Sequence, residues 1–454
     1  MHASINITPS EFRDRTFRLL DFVRAKRLSG VILFDSHYIL YFTGFAFIPT
    51  ERPIAFVMNS KGEKAMFVPR LEVEHANSET GFERVDHYVE YPHDSHPSRV
   101  LKNTLSDMGV TGKIGGDSDG YPWILGYRGP SLTELTGGSF LRVTGFIEEA
   151  MMIKSAAEIA LIRESVKWGN LAHRLLQRYT EVGATETEVS MRASQEATLI
   201  MLETLGHLYR AQSMFSDGAG AGYRGQIGRN AAIPHALANN IAFQSGDVLV
   251  SGAGAAMWGY DSELERTMIV GKPSEDQRTM FEHMKKAQEV AFDSLRPGVR
   301  CADVDKAVRK YYEENDVRFC RDVPSERIAA GRNLSSSKKA PSAKKTFSRK
   351  NAAGHKGGRS GSSASGPDKA GRSLMRFWKH HTGHAIGLRY HEGPFLDIGD
   401  QTVIKPGMVF TVEPGLYAAE MGGFRHSDTV LVTEDGIEIL TYYPRDLESL
   451  VIPA

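Results

Sequence analysis

Cysteine is nearly absent from this chain: its 454 residues include only Cys301 and Cys320. That count leaves no disulfide framework and no cysteine-based zinc site. Neither cysteine lies in a motif that lowers a thiol pKa, so both read as ordinary thiols. Long apolar runs are lacking as well. Nowhere do about 18 apolar residues follow one another, which argues against a membrane span. The opening segment MHASINITPSEFRDRTFRLL carries charges early and has no apolar stretch, so no signal peptide is expected and the chain reads as cytoplasmic. Net charge is lacking too, with 55 basic and 55 acidic residues, but the balance is uneven along the chain. Between Gly331 and Arg372 there are eleven Lys and Arg against one acid, Asp368. The rest is therefore acidic, and nucleic-acid binding by the folded body is not expected.

What is present is ordinary for a globular protein: 41% hydrophobic and 24% charged residues, in a length that suits two or three domains. The first section alternates helix and strand. Glu11 to Lys26 has helical spacing, and the runs Gly30–Phe34 and Pro53–Met58 read as buried strands. This alternation predicts an α/β domain over residues 1–148. A second domain, 149–454, opens on a helix whose start is marked by Ser155 and Glu158, the pattern of a capping box. Further helices are predicted at about Thr185–Leu205 and Ser274–Leu295, with strands at Asp247–Val250, Met268–Val270, Met408–Val412 and Thr429–Thr433. No regular βαβ repeat occurs, so this half is α+β. Asp217–Gly225 (DGAGAGYRG) has glycine spacing reminiscent of a dinucleotide loop but no convincing strand before it, and reads as a flexible loop. Residues 322–372 are rich in Ser, Gly, Lys and Ala. They cannot bury enough surface to offset their ordering entropy, and are predicted to be a disordered insertion or a translated intron.

Three clusters hold the chemistry-bearing residues. Arg229–His235 (RNAAIPH) offers His235, and Gly259–Gly271 (GYDSELERTMIVG) holds Asp261, Glu263, Glu265 and Arg266. The segments HHTGHAIGLRYHEGP, VFTVEPGLY and GGFRHSDTVLVTEDG supply His380, His381, His384, His391, Glu392, Glu413, His426 and Asp428. Imidazole is the usual acid–base group near neutrality. Strand alternation places Glu263 and Glu265 on one face. Two acids on a buried face call for a cation, a cationic substrate or a shared proton.

Five of these segments, in order, resemble the creatinase, aminopeptidase P and prolidase superfamily. MMIKSAAEIALIRES resembles the start of its catalytic domain, and PHALANNIAFQSGD the segment with its essential histidine. TGHAIGLRYHEGP resembles its histidine motif, PGMVFTVEPGLY its glutamate strand and GGFRHSDTVLVTEDG its final strand. The resemblance implies a C-terminal pita-bread domain behind an α/β creatinase-type N-terminal domain. It also implies a homodimer in which each N-terminal domain closes over the partner's site.

Metal-dependent members of that superfamily bind two divalent ions through two Asp, one His and two Glu. Here the first Asp position falls on Gly252, the second on Glu263 and the last Glu position on Ser427, while His384 and Glu413 match. A full two-ion site is therefore not expected. The site residues look closest to the metal-independent, creatinase-like branch. That resemblance implies Glu265 and His384 as substrate-binding residues, with Glu265 and Glu413 gripping a cationic amidine or guanidinium, and His235, His391 and Glu413 as catalytic residues. On this reading no cofactor is needed, and the protein hydrolyses a C–N bond in a small amidine, guanidino or amide compound. The alternative is a metal-dependent Xaa-Pro aminopeptidase or dipeptidase acting on short peptides, with one manganese, zinc or cobalt ion on Glu263, His384 and Glu413. A third reading is a pita-bread binding protein without catalysis. Arg425 and Arg266 are expected to hold Glu side chains as ion pairs, and His380 and His381 to lie at a strand edge or surface.

Overall fold

The computed structural model describes residues 5–78, 81–213, 217–317, 319 and 372–454. The first helix, Pro9–Ala25, is capped by Thr8, whose side chain accepts from the Glu11 N–H, and it buries Arg15, Leu19, Leu20 and Val23. Behind it lies a six-stranded sheet ordered Arg84–Tyr88, Lys64–Pro69, Ala55–Asn59, Gly30–Leu33, Lys113–Gly116, Ser139–Arg142. Strands Gly30–Leu33 and Ala55–Asn59 are buried along their whole length, as continuous apolar runs require.

The second sheet carries the site. Its nine strands run Glu392–Leu396, Gly383–Ala385, Val409–Val412, Ser427–Val432, Leu264–Val270, Val248–Ala255, Ala219–Gly222, with Ile437–Ile439 and Val451–Ile452 paired off that path. Helix Ala156–Tyr179 opens this half with the Ser155–Glu158 capping box and packs on strand Val248–Ala255. Helices Glu186–Leu205 and Glu275–Ser294 start at the caps Thr185 and Ser274. Asp217–Gly225 departs from the sequence reading. Ala219–Gly222 is an edge strand paired antiparallel to Gly252–Ala255, its small residues lying under helix Glu186–Leu205. The predicted insertion, 322–372, lies outside the described residues except for Arg372, as does Cys320. Asp316–Val317 pairs with Arg372–Ser373, so the chain leaves and re-enters at one place. Cys301 is fully buried, and desolvation pushes its thiol up to about 12, which leaves it inert. No helix among the described residues is long and apolar enough to cross a membrane.

The two halves are joined by charge. Buried Arg15 lies 3.4 Å from Glu158, whose other oxygen accepts from the Tyr260 hydroxyl at 2.7 Å. Arg389 reaches Asp35 at 2.7 Å. Helix Ser36–Thr43, capped by Asp35, is thereby held against the loop that leads from His384 into Glu392.

Candidate active site

The centre is built at the ends of strands of one sheet. Glu263 immediately precedes Leu264–Val270, His384 lies in Gly383–Ala385, and Glu413 follows Val409–Val412. One ligand atom from each of Glu263, His384 and Glu413 lies within 4.8 Å of the others. His384 Nδ1 faces the Ala385 carbonyl at 3.0 Å, which fixes the tautomer and turns Nε2 inward. Nε2 is buried, 3.3 Å from Glu413 Oε1, and makes no well-formed hydrogen bond. Burial opposes charge on His384, but Glu413 and Glu263 override it and raise its pKa to about 9. Desolvation together with Glu413 and Glu265 raises Glu263 above the carboxylate range. Glu413 is held well below that range, because His384 and Arg425 outweigh its desolvation. A buried group that draws protons to this extent is short of positive charge.

Beside it runs a row of three residues in register: Gly252, Glu265 and Ser427. The outer two are the positions where the superfamily pattern has carboxylates. Ser427 Oγ donates to Glu263 Oε1 at 2.6 Å. A Cβ at Gly252 would sit 3.5 Å from Glu265 Oε1 and 3.6 Å from Arg224 Nη2, so the space beside it is already taken by that pair. Glu265 itself is gripped by Arg425 through Nε and Nη2, and by Arg224 Nη2 at 2.6 Å. Two guanidinium groups thus already neutralise the residue expected to bind a cationic substrate. Arg425 is an ion-pair partner as expected, and also lies 3.6 Å from Glu413 Oε2.

Several participants were missed from sequence. Arg425 Nη1 donates to the Tyr417 hydroxyl at 2.9 Å, and that hydroxyl sits 2.7 Å from His380 Nε2. His380 Nδ1 faces the His381 carbonyl at 2.8 Å, so Nδ1 carries the proton and Tyr417 donates to Nε2. Desolvation lowers His380, which keeps it neutral in that role. His380 therefore belongs to the site and not to a surface edge. Arg224, at the end of the glycine-rich segment Asp217–Gly225, has its side chain 56% exposed at the mouth.

His391 stacks on His384 with centroids 3.8 Å apart and 17° between planes. Desolvation and His384 lower it to about 4, with a smaller contribution from His235, which is exposed at the rim. His426 faces the other way. Arg425 and Ser427 point into the site, so strand alternation turns His426 onto helix Glu275–Ser294, edge-on to Phe281 at 5.1 Å.

The donors test the two-ion pattern directly. Two of its carboxylates are missing and an arginine-bound glutamate lies between the vacant positions, so a second ion does not fit. One divalent ion fits Glu263, His384 and Glu413, with the inward Nε2, which makes no well-formed hydrogen bond, as the best observation for it. The expectation that no metal is held finds no support in this geometry.

Residues 160–434 match the model of metallopeptidase family M24, and residues 15–152 that of the creatinase/prolidase N-terminal domain. An Xaa-Pro dipeptidase of Pyrococcus furiosus is 25% identical over 96% of this chain and 99% of its own length. A probable dipeptidase PepE of Mycobacterium bovis is 26% identical over 94% and 92%. The crystal structure of dipeptidase PepE from Mycobacterium ulcerans superposes with a TM-score of 0.72 at 22% identity, covering 99% of this chain and 100% of that one. These relatives lend no support to the narrower resemblance to a metal-independent branch. The match spans more than half of the chain, and the protein belongs to metallopeptidase family M24, as a hydrolase of the creatinase and aminopeptidase P superfamily acting on C–N bonds.

Proposed function

We propose that the protein is a peptidase that cleaves short Xaa-Pro-type peptides at a single-cation centre. The observation that carries this reading is the convergence of Glu263, His384 and Glu413, with the buried His384 Nε2 turned inward and in no well-formed hydrogen bond. The dipeptidase names of the full-length relatives supply the substrate class. A divalent ion held by these three residues would supply Lewis-acid charge for the oxygen on which negative charge develops. The chain's own groups do the rest. Glu413, kept ionised by His384 and Arg425, takes the proton of the attacking water. His391 stays neutral near pH 7 and donates a ring N–H to the developing oxyanion. His235 at the rim returns a proton to the leaving nitrogen. The C–N bond breaks as the C–O bond forms, and the products are a carboxylate and an amine.

A second reading, metal-free hydrolysis of a small amidine, guanidino or amide compound, is favoured by one observation. The Gly252–Glu265–Ser427 row is neutralised by arginines where a second ion would lie. Elemental analysis of the purified protein, with assays of Xaa-Pro peptides and amidines with and without chelator, separates the two. The peptidase reading expects about one ion per chain and peptide cleavage lost to chelator. Near-zero metal with chelator-resistant turnover of a small C–N compound overturns it. Under either reading His235→Ala lowers turnover by about 10² or more; normal turnover removes its role.

A further inference from the structure

The catalytic centre does not account for Asp261. Its side chain is 4% exposed, and Oδ1 meets no hydrogen-bond donor among the described residues. Its backbone is fixed, with the N–H donating to the Gly387 carbonyl at 2.9 Å. Burying a carboxylate without a partner is costly, and each such group in a native structure calls for something that satisfies it.

Asp261 lines a cavity of about 270 Å³ between the two domains. Helix Ser36–Thr43 forms the N-terminal wall. Its Leu40 packs so closely on the turn at Gly259, where φ is +82°, that an added Cβ would lie 2.7 Å from Leu40 Cδ2. Phe47 and Leu388 extend the apolar lining, and Gln212 supplies a polar edge. Tyr390 stands on the catalytic side. It precedes His391, and it lies within electrostatic reach of Asp261, Glu263 and Arg224.

The cavity's other charges are matched with one another. Arg389 Nη2 is 2.7 Å from Asp35, and its guanidinium sits 4.6 Å over the Tyr38 ring. His37 Nδ1 lies 3.6 Å from the same Asp35 carboxylate. Among the described residues, Asp261 is left as the carboxyl without a hydrogen-bond donor in a largely apolar chamber, two residues from Glu263.

We propose that this interdomain cavity recognises an ammonium group of the substrate, with Asp261 as its counter-ion and Leu40, Phe47 and Leu388 around the attached carbon skeleton. Assigning that ammonium to the free amino end of a peptide rests on the peptidase reading; the cavity's preference for a cation does not. An ammonium brings three donors to a carboxylate that has none, and such charge-assisted bonds are about twice as strong as neutral ones.

Thermal unfolding of the full-length protein with n-butylammonium or n-butanol, at matched ionic strength, tests the cavity without catalysis. The ammonium is expected to raise the midpoint of the wild type and the alcohol to leave it unchanged. Asp261→Asn and Asp261→Leu lose the response. Both variants are themselves at least as stable as wild type, since each removes an unpaired buried carboxylate. In steady-state assays Asp261→Asn raises KM for Ala-Pro by about tenfold, changes kcat by less than about threefold, and leaves N-acetyl-Ala-Pro unaffected. Equal responses to amine and alcohol, or an amine preference that survives both substitutions, overturn the proposal. An Asp261-dependent amine response with no peptide turnover retains the cavity and removes the peptidase reading. Peptide turnover indifferent to Asp261 does the reverse.

Discussion

Adjacent residues of one strand, Glu265 and Arg266, make the two most deeply buried arginine–carboxylate pairs of the second sheet, one on each face, and the faces use the same chemistry differently. On the back, Arg266 spends all five of its N–H donors: Nε on Pro444, Nη1 on the Glu265 and Ser427 carbonyls, Nη2 on Tyr443 and Asp428. Asp428 is equally enclosed, accepting also from Gln288 and Thr441. On the front, Arg425 holds Glu265 but also leans on Glu413 and Tyr417, and Arg224 joins from the half-open mouth. The back pair is closed and structural. The front pair retains unsaturated contacts, so it can set the charge of groups that meet substrate. A closed ion pair fixes the strands, and an open one at the same depth tunes a site.

Substituting the two arginines separates these roles. Arg266→Met removes five side-chain hydrogen bonds and leaves Asp428 only Arg445, 3.8 Å away, as a cation, and is expected to cost about 3–5 kcal/mol in urea unfolding. A loss under about 1 kcal/mol would show that the back face is not a clamp. Arg425→Met leaves Glu265 its 2.6 Å pair with the half-exposed Arg224, so its stability cost is smaller, while turnover falls by about 10² as Glu413 and Tyr417 lose the guanidinium beside them. Equal stability losses for the two variants would erase the distinction.

The pH response sharpens the comparison from the back face. Desolvation lowers His173 to about 3 and His426 well below its ordinary value. The unfolded chain binds protons at these histidines near pH 6.5 that the folded chain refuses, so their contribution is complete above about 6.5 and is lost as pH falls. Each is expected to cost about 1.4 kcal/mol per pH unit below 6.5. His426→Leu removes one share of that slope between pH 6.5 and 5 and leaves turnover unchanged. An unaltered slope would refute its neutral burial. The smallest effect belongs to Tyr417→Phe, which removes one hydroxyl between Arg425 and His380. About 1 kcal/mol of stability and a several-fold fall in turnover are expected from unfolding and rate measurements.

Local signals carried much of this molecule in the sequence. The Ser155–Glu158 box, the caps Thr185 and Ser274, and the buried apolar strands appear where short-range pattern places them, because caps and periodicity involve neighbours in the chain. Five ordered motifs were enough to name the superfamily and to bring Glu263, His384 and Glu413 into one candidate set. The loop reading of Ala219–Gly222 failed because small residues carry no strand pattern of their own and become a strand by pairing with Gly252–Ala255.

The sequence by itself determined which ligand positions are missing, since Gly252 and Ser427 bear no carboxylate whatever the fold. Only the tertiary structure decided what stands in their place. Arg224, Arg425 and Glu265 come from three separate segments, and the neutralisation of Glu265 depends on a strand register that no local pattern encodes. The same holds for His380 and His426. One is drawn inward by a hydroxyl from another strand and the other is turned to the back by alternation, because side-chain direction is set by pairing across the sheet and not by neighbours in the chain.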